Sequence, residues 1–256
     1  MTHPNSPTGG SGDGPGERSV TLSTGETVSL PLSTEGTFLG AVFSARRDGV
    51  GALLPAGLEP IRVAPRRAAV TFLSASYRRV GDGTIAPYDE FAVVVPAVHD
   101  PTAVPVASLL RRGASGYVWF LPVTTDPARA LGTDVWGFPK VVADVTHEDD
   151  ASRRRTTVSA DGERVLAFEV KRPRAIRRRE SGYAYSVAGG RLLRAPVDVD
   201  GDVGIWPYTG AASVEFGDHP RARRLRSLDI GRRALARFAV DGEVVFAAGD
   251  PVEPTR

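Results

Sequence analysis

Residues 68–98 read AAVTFLSASYRRVGDGTIAPYDEFAVVVPAV, and this stretch decides the class of fold. Its two ends, residues 68–80 and 90–98, are rich in valine and aromatic side chains, which are typical of strands. Glycine, aspartate and proline, which favour turns, lie between the two ends. We therefore predict two extended segments joined by a turn, and the same pattern recurs on either side.

The segments Val20-Thr21-Leu22 and Val28-Ser29-Leu30 flank a glycine-containing turn, which predicts a hairpin. Near the C-terminus, Asp241-Gly242 is expected to form a two-residue hairpin turn. The further strands that the pattern predicts lie at residues 37–44, 116–123, 141–147, 156–160, 165–170, 234–239 and 243–248.

Helical signals are fewer than strand signals. The best is residues 126–131, where Asp126 is suited to cap a helix and Pro127 to occupy its first turn. Residues 104–110 and 220–225 are weaker candidates. Many strands and few helices predict a β-rich α+β fold, a β-barrel or sandwich with peripheral helices.

The chain has 256 residues, of which 41% are hydrophobic, so we expect one domain over residues 19–256. Residues 1–18 are rich in glycine, proline and serine and are expected to be disordered. No apolar run approaches the roughly 20 residues that span a bilayer, so no membrane association is expected. The first residues lack the apolar core of a secretory signal, which predicts a cytoplasmic location.

The absence of cysteine excludes disulfides and thiolate chemistry, and the four histidines lack metal-ligand spacing, so no metal is expected. The net charge of +2 does not favour nucleic acid as a partner. Residues 171–179 contain six basic side chains, but no aromatic residue is interleaved with them. We interpret this run as an exposed connecting loop; binding of nucleic acid is the weaker alternative.

Lysine is scarce, because of 32 basic side chains only Lys140 and Lys171 are lysines. Composition bias alone explains such scarcity, but an amine forms a Schiff base with a carbonyl compound and a guanidinium does not. Lys140 lies among Trp136, Phe138 and Val141, and apolar neighbours favour the neutral, nucleophilic amine. Lys171 lies among like charges and is expected to be solvated. Lys140 is therefore the candidate nucleophile.

The stretch Leu131-Gly132-Thr133-Asp134-Val135-Trp136-Gly137-Phe138-Pro139-Lys140 resembles the region around the Schiff-base lysine of the acetoacetate decarboxylase family. Leu54-Pro55-Ala56-Gly57-Leu58-Glu59 and Pro87-Tyr88-Asp89-Glu90 are similar to two further elements of that family, in the same order. The resemblance covers roughly residues 28–246.

The resemblance implies a cofactor-independent decarboxylase that acts on a small β-keto acid through an iminium on Lys140. It also implies a homo-oligomer and an active-site carboxylate at Glu90, which we expect to transfer protons. The alternative for Glu90 is an exposed carboxylate at the start of a strand. Tyr88, Leu73, Trp136 and Phe138 are the candidate substrate-binding residues, and core packing is the alternative for Trp136.

Three departures from the family pattern leave the reaction open. The position after the nucleophile is a second lysine in the best-known members and is Val141 here; a second family carboxylate falls at Leu73, and an early arginine falls near Gly36. These replacements admit an aldolase-dehydratase that uses the same iminium, or a non-catalytic member that only binds a small ligand.

Overall fold

The computed structural model describes residues 18–99 and 114–252, which form seventeen strands and three helices. The helices are α1 (Arg47–Gly51), α2 (Asp126–Trp136) and α3 (Pro220–Arg226). The strands are β1 (Arg18–Thr21), β2 (Thr27–Leu30), β3 (Leu32–Arg46), β4 (Leu58–Pro60), β5 (Arg62–Ala64), β6 (Arg67–Val80), β7 (Tyr88–His99), β8 (Ala114–Val123), β9 (Lys140–Val142), β10 (Asp144–Asp149), β11 (Arg153–Ala160), β12 (Glu163–Lys171), β13 (Ile176–Ala188), β14 (Arg191–Thr209), β15 (Ala212–Phe216), β16 (Ala234–Phe246) and β17 (Asp250–Pro251).

Seven strands close into a barrel in the order β7-β6-β3-β16-β14-β13-β8, with β8 pairing back onto β7. The barrel pairs are antiparallel except for β13 and β8, which run parallel. The short strands β4, β5, β9 and β17 pair with individual barrel strands. Closure satisfies backbone groups that an open sheet would leave at its edges.

A four-stranded sheet, in the order β10-β11-β12-β15, packs against the outside of the barrel. The core between the two layers centres on Phe72 of β6, whose ring lies 6.2 Å from the rings of both Phe168 and Phe216. Phe43 and Phe91, from the neighbouring barrel strands, also pack on Phe72. The second sheet is therefore packed against the barrel wall through this aromatic cluster.

A second core fills the inside of the barrel and is covered by α2 and by the hairpin of β1 and β2. Its members alternate along the strands with members of the first core, because successive side chains of a strand point to opposite faces. On β7, for example, Phe91 and Val93 belong to the first core, and Tyr88 and Ala92 to the second. Any polar side chain at an even position of this part of β7 therefore faces the inner core.

The predicted β-rich fold is confirmed, as are the N-terminal hairpin and the helices at residues 126–131 and 220–225. The first of these helices continues to Trp136. The predicted helix at residues 104–110 and the predicted disordered tail over residues 1–18 lie outside the described residues, apart from Arg18, which begins β1.

The prediction of a hairpin turn at Asp241-Gly242 is wrong, because β16 runs through both residues. Gly242 pairs with Gly201 on one side and with Gly36 on the other. A methyl group on Gly242 would lie 2.5 Å from the carbonyl oxygen of Asp200. The glycine is thus required by close approach of neighbouring strands rather than by a turn.

The prediction that residues 171–179 form a loop is wrong at both ends, since Lys171 closes β12 and residues 176–179 belong to β13. Two of its arginines, Arg177 and Arg179, make ion pairs with Asp200 on the adjacent strand β14. Cross-strand charge pairing thus makes a basic run compatible with a strand. The predicted strand at 141–147 is also divided: β9 ends at Val142, and β10 begins the second sheet.

Candidate active site

Lys140 is the first residue of β9, and the end of helix α2 determines where that strand begins. Gly137 adopts a left-handed conformation with φ of 65° after the last helical residue, Trp136, and its amide donates to the carbonyl of Thr133. Glycine enters this conformation without steric cost, and the following Pro139 cannot continue a helix. The chain therefore turns out of α2 and pairs along β8, with Lys140 beside Leu121.

The helix also makes room for the lysine side chain. Gly132, which is buried in α2, lies against the aliphatic part of Lys140, and a methyl group built on Gly132 would overlap Cδ and Cε of the lysine. The absence of a side chain at position 132 thus sets the path along which the amine reaches the barrel interior.

The amine of Lys140 meets Glu90 of β7 in the barrel interior. Nζ lies 2.8 Å from Oε2 of Glu90, and the two side chains are 5% and 7% exposed. The distance is that of a close ion pair, and Oε2 accepts no hydrogen bond from the residues that the structure describes. Nζ also donates a hydrogen bond to the hydroxyl of Tyr88 at 3.3 Å and lies 5.1 Å from the centre of that ring.

Tyr77 of β6 completes the group of polar side chains. Its hydroxyl donates to Oε1 of Glu90 at 3.4 Å, and its ring stacks on that of Tyr88 with centroids 4.6 Å apart. Burial raises the pKa of Tyr77 well above its ordinary value of 10.0, and the negative charge of Glu90 adds to the shift. Burial likewise raises the pKa of Tyr88, with further contributions from Tyr77 and Glu90. Both tyrosines are therefore neutral hydroxyl groups at physiological pH.

Of the residues that the sequence suggested, Lys140, Glu90 and Tyr88 are in direct contact. Tyr77 was not anticipated, although a two-residue period along β6 places it on the same face as Leu73. Leu73 is partly buried and belongs to the inner core. It pairs with Gly40 of β3.

Trp136 and Phe138 stack on one another with centroids 5.7 Å apart, and both rings are buried in the inner core. The indole Nε1 of Trp136 donates to the carbonyl of Ala247, and its ring also packs on Phe246. These contacts are core packing next to the lysine. A role of the two rings in binding substrate stays a prediction.

The surroundings of Lys140 are more polar than the sequence suggested, because a carboxylate and a tyrosine hydroxyl contact the amine directly. Val141, at the position of the second family lysine, packs against the outer core on the opposite face of β9. A cation at position 141 would therefore point away from the amine of Lys140.

Three other kinds of feature are relevant to function: a surface cavity, a metal site and a membrane-spanning helix. A surface cavity of about 760 Å³ is lined by Arg46, Arg47, Asp48, Gly51, Glu59, Pro60, Arg62 and Arg66, and includes neither Lys140 nor Glu90. Within residues 18–99 and 114–252, no cluster of three or more acidic or histidine side chains is suited to hold a metal. No helix in the same ranges is both long and apolar enough to cross a membrane.

The fold and the site define a β-barrel protein with a buried lysine paired to a carboxylate inside the barrel. The family model described as acetoacetate decarboxylase (ADC) matches residues 21–253, and the chain belongs to this family. The family resemblance seen in the sequence is thereby confirmed. No curated protein sequence matches the chain.

Solved structures of the same fold cover most of the chain at low sequence identity. The acetoacetate decarboxylase of Legionella pneumophila is 15% identical, with a TM-score of 0.64 and coverage of 87% of each chain. The enduracididine biosynthesis enzyme MppR, complexed with the condensation product of pyruvate and imidazole 4-carboxaldehyde, is 14% identical, with a TM-score of 0.61 and coverage of 86% of this chain and 88% of that one. An acetoacetate decarboxylase-like enzyme from Sphingomonas wittichii RW1 is 15% identical, with a TM-score of 0.58 and coverage of 87% and 92%.

Proposed function

We propose that the protein is a lyase that acts on a small β-keto acid through a Schiff base on Lys140 and releases CO₂. The buried contact of 2.8 Å between Nζ of Lys140 and Oε2 of Glu90 carries the proposal. A lone buried ion pair is rarely a gain in stability, so its presence inside an apolar core favours a chemical role.

Glu90 makes the amine nucleophilic by accepting a proton from the Lys140 ammonium. This transfer replaces the buried ion pair with a neutral amine and a neutral carboxylic acid, and so removes the desolvation cost of two buried charges. The amine then attacks the ketone carbon. Glu90 returns its proton to the departing hydroxyl group, and water leaves as the iminium forms.

The iminium then serves as the electron sink. The bond between the α-carbon and the carboxylate breaks, CO₂ leaves, and the bonding electrons move to nitrogen to give an enamine. Protonation of the α-carbon restores the iminium, and water hydrolyses it to the ketone product and free Lys140. The hydroxyl of Tyr88, at 3.3 Å from Nζ, is positioned to keep the nitrogen in place throughout.

An aldolase-dehydratase is the second candidate, because it shares the iminium and because the solved relatives include MppR with a condensation product of pyruvate. In this reaction the enamine formed from a bound oxo acid attacks an aldehyde instead of taking a proton. Leu73 and Gly36, at positions where the family pattern has charged groups, favour a reaction other than decarboxylation. A non-catalytic binding protein is the third candidate.

Borohydride trapping tests the shared intermediate. The wild-type protein is incubated with acetoacetate or pyruvate and borohydride, and the added mass is located by peptide mass spectrometry. We expect the adduct on Lys140, none in Lys140→Ala, and an unchanged yield in Lys171→Ala, which removes the other lysine of the chain. If the wild type gains no mass from either compound, the covalent proposal is wrong.

The mass of the adduct and the released gas separate the candidate reactions. Decarboxylation of acetoacetate gives CO₂ and an adduct that has lost the carboxylate. An aldolase-dehydratase retains the carboxylate of pyruvate and consumes an added aldehyde. Ligand affinity that survives Lys140→Ala, with no turnover in the wild type, would identify a binding protein instead.

A further inference from the structure

One cross-strand row connects the candidate site with the basic segment of β13. The paired residues, in order across six barrel strands, are Arg178, Gly201, Gly242, Gly36, Tyr77 and Tyr88. Directly paired residues of adjacent strands point to the same face of a sheet. Since Tyr77 and Tyr88 face the barrel interior, the register assigns Arg178 to the same inner face.

The neighbours of Arg178 support this orientation. Arg177 and Arg179 both make ion pairs with Asp200, at 2.5 and 2.8 Å. Side chains alternate between the two faces of a strand, so Arg178 projects to the face opposite these pairs. Its guanidinium is exposed and has no hydrogen-bond or ion-pair partner in the part of the chain that the structure describes.

Between Arg178 and Tyr77 the row carries no side chain, because its three intervening residues are glycines. Methyl groups on Gly201 and Gly36 would lie 2.5 and 2.6 Å from backbone oxygens of adjacent strands, so close strand packing excludes side chains from these positions. The ring of Phe38 lies over Gly36 and packs edge-on against the ring of Tyr77, with centroids 5.3 Å apart. Strands are spaced by about 4.8 Å, so the four intervals from Arg178 to Tyr77 amount to about 19 Å between Cα atoms, which the facing side chains and a ligand of several carbon atoms would span together.

We propose that Arg178 binds a carboxylate at the far end of the carbonyl substrate held by Lys140. This inference rests on the proposed function and deepens it by naming the substrate class: an oxo acid with a carboxylate several bonds from its ketone. If the reaction is a decarboxylation, the β-carboxylate leaves as CO₂, and Arg178 binds a second carboxylate of the same substrate. An exposed guanidinium suits this role because it pairs with carboxylates through two parallel hydrogen bonds.

The test compares methyl ketones that differ only in the terminal group. Oxo acids from 4-oxopentanoate to 8-oxononanoate are matched with ketones of equal carbon number, such as 6-oxoheptanoate with heptan-2-one. The concentration that gives half-maximal borohydride trapping on Lys140 is measured for wild type, Arg178→Gln and Arg179→Gln. The last variant is the matched control, since it removes an adjacent arginine on the opposite face.

For at least one oxo acid of the series, Arg178→Gln is expected to raise the half-maximal concentration about three- to tenfold, as for loss of a partly solvated charge-assisted hydrogen bond. The matched ketone should be unaffected, and Arg179→Gln should affect neither compound. Equal effects on acid and ketone, no effect on any acid, or the same effect from Arg179→Gln would overturn the proposal. If the wild type traps neither acids nor ketones, the proposed function itself is wrong and this inference falls with it.

Discussion

At the scale of single residues, the candidate site combines two buried charges with two tyrosine hydroxyl groups that stay neutral. Lys140 and Glu90 meet at 2.8 Å. The hydroxyl of Tyr77 donates a hydrogen bond to Glu90, and the hydroxyl of Tyr88 accepts one from Lys140. Proton transfer between amine and carboxylate needs no large movement at this distance. The stacked tyrosine rings limit the freedom of both charged groups.

The raised pKa values of the tyrosines predict a loss of stability in alkaline solution. As the pH rises past 10.0, the ordinary tyrosine value, the unfolded chain releases these protons while the folded protein still holds them. The stability contributed by the neutral hydroxyls is complete below that pH and is lost as the pH rises through the higher folded-state values. We expect Tyr77→Phe to show a shallower decline of the thermal midpoint above pH 10.0 than the wild type does.

The matched control for this prediction is Tyr183→Phe, since Tyr183 packs on Arg194 rather than on the lysine–glutamate pair. The midpoints are measured by circular dichroism at intervals from about pH 8 to 11. Identical alkaline slopes for the wild type and Tyr77→Phe would contradict the assignment.

At the scale of secondary-structure elements, helix α2 both delivers Lys140 to the barrel and leaves space for its side chain. Gly137 ends the helix, and Gly132 lies against the lysine methylene groups. The helix is anchored by its Thr125 cap and by Asp134, which accepts from the backbone amide of Ser23 in the turn between β1 and β2. A side chain added at Gly132 would therefore displace the side chain of Lys140 rather than the helix.

Gly132→Ala is expected to lower the rate of adduct formation on Lys140 about 100-fold, because small misplacements of a reacting group have effects of this size. Thermal stability should fall far less than activity, since alanine is favoured over glycine inside a helix. Borohydride trapping and circular dichroism measure the two effects. Gly51→Ala, at a position with open space around it, is the control and should trap normally. Normal trapping by Gly132→Ala would show that the lysine does not need this space.

At the scale of the whole molecule, the second sheet supports the barrel wall that carries Glu90. The outer core holds Phe72 at its centre, fully buried among Phe43, Phe91, Phe168 and Phe216. Phe91 directly follows Glu90 on β7, so packing of the outer core restrains the strand that presents the carboxylate.

Phe72→Ala should lower the free energy of unfolding by about 3 to 5 kcal/mol, as for removal of a large buried ring. Urea denaturation measures this change. Val63→Ala, at a side chain that is 40% exposed, is the control and should change the stability by about 0.5 kcal/mol or less. A change of similar size in both variants would mean that Phe72 does not hold the layers together.

Much of the architecture was predictable because strand-forming side chains and turn residues alternate at short range. Strands β13 and β14 were not recognised in the sequence, because their charged residues form ion pairs only between neighbouring strands, as Arg179 and Asp200 do. The misread Asp241-Gly242 turn has a similar cause: glycine marks both tight turns and close strand contacts, and only the neighbouring strand distinguishes them. A homo-oligomer, a cytoplasmic location and a small oxo-acid partner stay predictions.

The sequence by itself determined the β-rich fold, the family and the two residues that form the buried pair, because these depend on local patterns and short motifs. Only the tertiary structure decided that Glu90 and Lys140 lie in contact, that Tyr77 joins them, and that Val141 faces away. It also decided that Arg178 shares a cross-strand row with both tyrosines. The physical reason is strand register, which joins residues far apart in the chain and follows from the closure of the whole barrel.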